Sequence, residues 1–221
     1  MSQIAVVTAL AKLGELVEPV REDDVECIAF VESERPSAIW QQRPLVRLFD
    51  TSARNCAMAK ILVGQFIAYD YSIWISPGIR LKVAPTVLVE RWLAKHDVAV
   101  FQRENWSDSA SYAQVTSARR LDEPYRVMDQ YLAYARGGLP EDFAMIDSRV
   151  VLRRHSTAVD VFNALWWSEY CRHSILDELS LTWVSYRSGS LVNILPPLVA
   201  HSELFEFSET QALPLSIHPK S

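Results

Sequence analysis

Residues Tyr69–Leu81 read YDYSIWISPGIRL, and this stretch decides the fold class. Its run Tyr71–Ile75 has the length and the β-branched and aromatic content of a buried strand. Ser76-Pro77-Gly78 ends the run abruptly, because proline fixes φ and glycine tolerates φ > 0. A second short apolar run, Ile79–Val83, follows. In open α/β sheets ligands gather at the carboxyl ends of central strands, so the Ser76–Gly78 turn is expected to face a site.

Outward from this stretch, strands and helices alternate. Upstream, Ile4–Thr8 and Val25–Val31 are apolar strands, the second preceded by the solvated acidic run Glu22-Asp23-Asp24. Residues Glu32–Arg47 carry two prolines and predict an irregular segment with one short strand. Thr51 or Ser52 caps a helix reaching to about Phe66. Downstream, Pro85 opens a helix with Val87, Leu88, Trp92 and Leu93 on one face. Val98–Phe101 is a strand, Ser109–Arg119 is helical, and the helix from Pro124 stops at Gly137-Gly138. Met145–Arg153 is the last strong strand, followed by helices over Thr157–His173 and Leu176–Arg187. The expected architecture is therefore α/β: one domain over residues 1–221 with a mostly parallel sheet flanked by helices. Its core covers about residues 4–187, and an extended tail, 188–221, packs outside.

The whole chain sets bounds on function. At 221 residues, 49% hydrophobic and 22% charged, it is an ordinary globular chain, long enough to bury roughly 70% of its unfolded surface. A net charge of −5 argues against a nucleic-acid partner, which calls for a basic face. No apolar run is long enough to span a membrane, and Ile4–Thr8 reads as a first strand rather than a signal peptide. Cys27, Cys56 and Cys171 form neither a CxxC pair nor a disulfide frame. They fit a reducing compartment, and the expected location is cytoplasmic. There is no GxGxxG, GxxxxGK[ST] or GxSxG motif, so dinucleotide, P-loop and serine-hydrolase chemistry have no support.

Candidate site residues follow from position. Arg153-Arg154-His155 closes a strand, with Arg153 and His155 on one face and Arg154 on the other. Arginine suits bidentate phosphate binding. Arg54 and Lys60 lie about two turns apart on the helix before the central strand, where either can bind a diphosphate or simply face solvent. Trp166-Trp167 are neighbours on a helix, so one faces the core and the other is partly exposed. Asp177 and Glu178 open a helix, where their charge favours the dipole, and they point roughly 100° apart around it.

Eight pieces in order resemble the TOD/MUCI-type glycosyltransferase-like domain of plants and bacteria. They are the first strand and its proline-containing connector, Ile4–Pro19; the strand end Phe30-Val31-Glu32; and Arg54 and Lys60 before Tyr69–Ile79. Then come Tyr112, Gln130–Tyr134 with Gly138-Leu139-Pro140, Arg153-Arg154-His155, Trp166-Trp167 and Asp177-Glu178-Leu179-Ser180. The resemblance covers about residues 4–187 and implies a GT-A-like, Rossmann-type sheet that holds a nucleotide-sugar donor at its strand ends. It implies transfer of a hexose to a glycan or other hydroxyl acceptor. Asp177 would be the catalytic base. Glu32, Arg54, Lys60, Ser76, Gly78, Arg154 and His155 would lie on the donor and phosphate side, and Gln130, Trp167 and Glu178 would face sugar or acceptor.

The resemblance also implies a divalent cation, Mg2+ or Mn2+, between the diphosphate and a carboxylate just past a central strand, with Glu32 and His201 as further ligands. Here the chain departs from the family pattern, in which W-I-D-G stands where this sequence has Trp74-Ile75-Ser76-Pro77-Gly78. Ser76 carries no charge, and hard cations prefer carboxylate oxygen. Three readings result: an active glycosyltransferase, a degenerate member that binds a nucleotide sugar or glycan without turnover, and a protein-interaction module on the same scaffold.

Overall fold

The structure, a computed structural model, describes residues 3–11, 15–106, 108–119, 124–199 and 202–208. Ile4–Leu10 (β1) is buried along its whole length, as a strand covered on both faces must be. Val25–Val31 (β2) lies parallel to it, and the short Gln41–Pro44 (β3) lies parallel to β2. Ser52–Ile61 (α1) follows, then a 3-10 turn, Val63–Gln65. The helix stops short of the expected Phe66, and the turn that follows brings Gly64 against His155. A Cβ at Gly64 would sit 3.0 Å from the imidazole Nδ1.

Tyr71–Ile75 (β4) pairs parallel with β1 on the side away from β2. Next in the chain come Ile79–Leu81 (β5), Pro85–Trp92 (α2), Val98–Gln102 (β6), Ser109–Arg119 (α3), Pro124–Arg136 (α4) and Ile146–Arg154 (β7). Thr157–Arg172 (α5), Asp177–Ser188 (α6), Val192–Leu195 (β8) and Phe205–Phe207 (β9) complete the described elements. The main sheet has seven strands in the order β3-β2-β1-β4-β7-β6-β8. Every neighbouring pair in it is parallel except the two made by β7, which runs backwards between β4 and β6. The α/β reading with a mostly parallel sheet and flanking helices therefore holds.

One face of the sheet packs under α2 and the small β5–β9 sheet, with Ile73, Ile75, Leu88, Trp92, Phe205 and Phe207 in its core. The other face packs under α1, α5 and α6 through Val7, Ile61, Trp74, Phe162, Trp166 and Leu181. A third core joins α3 and α4 to the start of α6 through Tyr112, Val127, Tyr134 and Leu179.

Two expectations need correction. The chain after residue 187 is not simply an extended tail packed outside. Val192–Leu195 joins the main sheet as its edge strand on β6, and Phe205–Phe207 pairs with β5. Alternation in a stretch as short as VNIL is weak, yet it suffices when an open edge is waiting to be paired. The second correction concerns the last residues of β7. Because that strand is antiparallel, Arg154 lies beside Tyr71 at the start of β4, and the His155 N–H donates to the Asp70 carbonyl at 2.8 Å. Arg154 and His155 are thus at the amino edge of the parallel strands, opposite the edge where they were expected.

Candidate functional site

The carboxyl edge is where β1, β2, β4 and β6 end and where β7 begins. Glu32 follows β2 and donates its N–H to the Leu10 carbonyl at 3.2 Å. Past β4, the Ile79 N–H closes a turn onto the Ser76 carbonyl at 3.1 Å, with Gly78 at φ 82°. Proline at the second position and a positive φ at the third are the requirements of a type II turn, so this glycine is a backbone necessity. The Ser76 N–H donates to the Arg149 carbonyl at 2.8 Å, which fixes the turn to the first residues of β7. There the β6–β7 register jumps, Val100 facing Val151 but Phe101 facing Asp147. Bulges re-aim side chains, and this one sets Asp147, Ser148 and Arg149 at the edge.

Three acid–base pairs meet at this end of the sheet. Lys60, from α1, pairs with the Asp177 carboxylate at the start of α6 and donates to Ser148 Oγ at 3.0 Å. The Ser148 hydroxyl in turn donates to Asp177 Oδ1 at 3.2 Å. Arg103, just past β6, donates to Glu178 at 3.0 Å and lies over the Tyr112 ring. Arg149 donates through Nε to both oxygens of Asp147 at 2.9 Å and through Nη2 at 2.6 Å. Asp147 is fully buried. Phe207 from β9 lies under the Arg149 guanidinium, 4.6 Å from ring centre to Cζ. Trp166 backs the first pair. Its Nε1 donates to the Asp177 carbonyl at 3.1 Å, and its ring lies 5.9 Å from the Lys60 ammonium.

The electrostatics differ from group to group. Burial pushes the Glu178 carboxyl up, the charge of Asp177 adds to this, and Arg103 and Lys60 oppose it. Burial works against the charge on Arg103, yet Glu178 holds it protonated well above its ordinary range. Burial and then Glu178 keep the Tyr112 phenol protonated. Asp177 and Glu178 both sit in the first turn of α6, where the helix dipole favours negative charge. Their repulsion means that the two carboxylates act on each other, although successive helix positions were expected to diverge.

Of the residues singled out in the sequence, Lys60, Ser76, Glu32, Asp177 and Glu178 lie at this edge. Gly78 does too, but its carbonyl is taken by the Ser208 N–H at 2.7 Å. Glu32 accepts a hydrogen bond from Ser52 at 2.5 Å, and its other oxygen is buried without a partner. Arg54 is not joined to the cluster; its charge bears on Cys171 near the end of α5. Gln130 is fully buried and receives the Ser174 hydroxyl at 2.5 Å while donating to the Tyr134 hydroxyl at 3.0 Å. It ties α4 to the approach of α6 and offers nothing to a sugar. Trp167 packs against Phe49 and Tyr170, so of the two tryptophans it is Trp166 that touches the cluster. At the far edge, Arg154 pairs with Asp97 and His155 bonds Ser72 Oγ at 2.9 Å. His201 lies outside the described residues.

Sequence reading missed Arg103, Asp147, Ser148 and Arg149. The available signal was the placement of charged residues within MIDSRVVL, directly ahead of an apolar run. The donor set at this edge also does not suit a hard divalent cation. Asp147, Asp177 and Glu178 are each engaged by a basic side chain, Ser76 is uncharged, and among the described residues no three of His, Cys, Asp and Glu are grouped so that they could hold a metal ion.

Residues 34–210 match a family model described as TOD1/MUCI70, glycosyltransferase-like domain. Among solved structures the fold is similar to the apo form of the bifunctional glycosyltransferase WbbM, with a TM-score of 0.56 and 12% identity. That alignment covers 88% of this chain and 39% of the other, so the chain spans well under half of that protein's length. No curated protein matches in sequence.

Proposed function

The chain belongs to the TOD1/MUCI70 glycosyltransferase-like domain family, and from that premise we propose that it transfers a hexose from a nucleotide-sugar donor to a hydroxyl acceptor. The observation that carries this reading is the convergence of three ion-paired carboxylates at the carboxyl edge, the edge where ligands bind in such sheets. In the reaction the acceptor oxygen bonds to the anomeric carbon while the bond to the diphosphate oxygen breaks. The electron pair leaves with the diphosphate, and the acceptor proton passes to a carboxylate.

We assign that proton to Glu178. Burial and then the charge of Asp177 raise its affinity for a proton, which suits a group that must take one up. Asp177 is held by Lys60 and Ser148 and acts by fixing the pair beside Glu178. The experiment is a thermal-shift panel of nucleotide sugars, because a ligand that binds the folded state raises the melting temperature. It is followed by assay of nucleoside diphosphate release with hydroxyl acceptors. Glu178→Gln should keep the donor-induced shift and lose release, whereas Asp177→Asn should weaken both.

A second reading, binding of a nucleotide sugar without turnover, is favoured by Ser76 standing where the family pattern has aspartate. It predicts a donor-induced shift with no nucleoside diphosphate released for any acceptor. Absence of a shift with every donor would sink both readings.

A further inference from the structure

This inference rests on the reading of the carboxyl edge as a donor site. We propose that the donor's diphosphate is neutralised there by the guanidinium of Arg149 and not by a divalent cation. Arg149 is the cross-strand neighbour of Ser76, joined to it by the 2.8 Å backbone hydrogen bond. The position where the family resemblance calls for a metal-binding carboxylate therefore has a neutral hydroxyl, and a cation is planted directly opposite.

The arginine is held ready for an anion. Asp147, wholly buried, takes Nε and Nη2 in a bidentate grip, and Phe207 flanks the guanidinium. Among the described residues the hydrogen bonds of this guanidinium are made by Nε and Nη2, and the side chain keeps 21% of its surface in solvent. Pairing with Asp147 lowers the net attraction for an anion, but it also fixes the plane of the fork. The ordering of a flexible side chain is then complete before the ligand arrives. Arginine recognises phosphate through parallel N–H donors, and a cation at the leaving oxygen supplies what developing negative charge needs.

Apart from Glu32, whose second oxygen has no partner, a metal would have to take its ligands from side chains already engaged. Both Asp147 oxygens hold Arg149, Asp177 holds Lys60 and Ser148, and Glu178 holds Arg103. Withdrawing any of these carboxylates would strand a largely buried cation.

Binding of UDP and GDP, measured by calorimetry in EDTA and in Mn2+, tests this on the full chain. The expected result is the same dissociation constant in both buffers, weakened at least tenfold by Arg149→Met. Because that substitution leaves Asp147 buried and unpaired, the double variant Asp147→Asn/Arg149→Met is measured beside it, and the same loss is expected. Ser76→Asp should weaken binding in EDTA and make it respond to Mn2+. Binding that requires Mn2+ in the wild type, or that survives in the double variant, overturns the proposal while leaving the donor site standing. Failure of both nucleotides to bind in either buffer overturns the donor reading itself, and this proposal with it.

Discussion

Replacing Lys60 by Met and Asp177 by Asn, singly and together, tests whether the site hangs on their ion pair. The two side chains keep only 11% and 14% of their surface exposed, and each also contacts Ser148. Removing one partner of a buried pair leaves the other charge stranded, at about 3–5 kcal/mol. The remaining exposure and the Ser148 hydroxyl soften this, so each single variant should lose about 3 kcal/mol. For a chain of this size that corresponds to a fall of roughly 6–12 °C in melting temperature. In the double variant neither charge remains, and the loss should be smaller than the sum of the singles by about 2–3 kcal/mol. Urea denaturation followed by fluorescence reads this directly, since the chain has seven tryptophans and the Trp166 ring lies 5.9 Å from the Lys60 ammonium. The midpoint should move while the slope stays constant. If the costs of the singles simply add, to within about 0.5 kcal/mol, the two side chains do not form the pair described and the geometry of the edge is wrong.

Burial lowers the pKa of His155 to about 4, so between roughly pH 6.5 and 4 the unfolded chain binds more protons and stability falls as pH drops through that window. Partial solvent access trims the contribution to about 2 kcal/mol, and melting curves from pH 7 to 4 should show a slope that His155→Gln removes; parallel curves would rule it out. Arg153 is fully buried with only Nε bonded, to Asn163 at 3.0 Å, while Nη1 and Nη2 have no partner. Arg153→Met should therefore raise stability by about 1 kcal/mol, and a fall in the urea midpoint would refute this. Gly78→Ala should cost about 1–2 kcal/mol, the strain of a side chain at positive φ, and an unchanged melting temperature would count against the type II turn.

The parts of this protein that could be read from sequence are those where one local signal has one structural meaning. YSIWI followed by SPG is a strand and a turn in the sequence, and both are found. Pro85, Pro124 and Gly137 mark helix ends because backbone sterics allow little else there. Strand direction leaves no such mark. IDSRVVLRR has the same apolar content whichever way it runs, so the placement of Arg154 and His155 was reversed and Asp147 and Arg149 went unnoticed. Pairings between distant residues, such as Lys60 with Asp177, depend on how α1 and α6 dock across the sheet. Gln130 looked like a polar group offered to a ligand, yet its hydrogen bonds go inward to Ser174 and Tyr134. Local sequence does not record where a buried amide finds its partners.

The reversed strand has a further consequence. Because β6 ends at the carboxyl edge and β7 starts there, the chain between Gln102 and Ile146 leaves and re-enters the sheet on the same side. The helical hairpin α3–α4 on this excursion never has to cross the layer of strands, and it rests on α6 through a core of its own. It forms a roof whose two posts stand on neighbouring strands. Its length and surface can change without disturbing the register of β4, β7 or β6, while Tyr112 keeps it beside Arg103 and Glu178. A longer or shorter excursion would change what stands beside Arg103 and Glu178 and leave the order of the strands as it is.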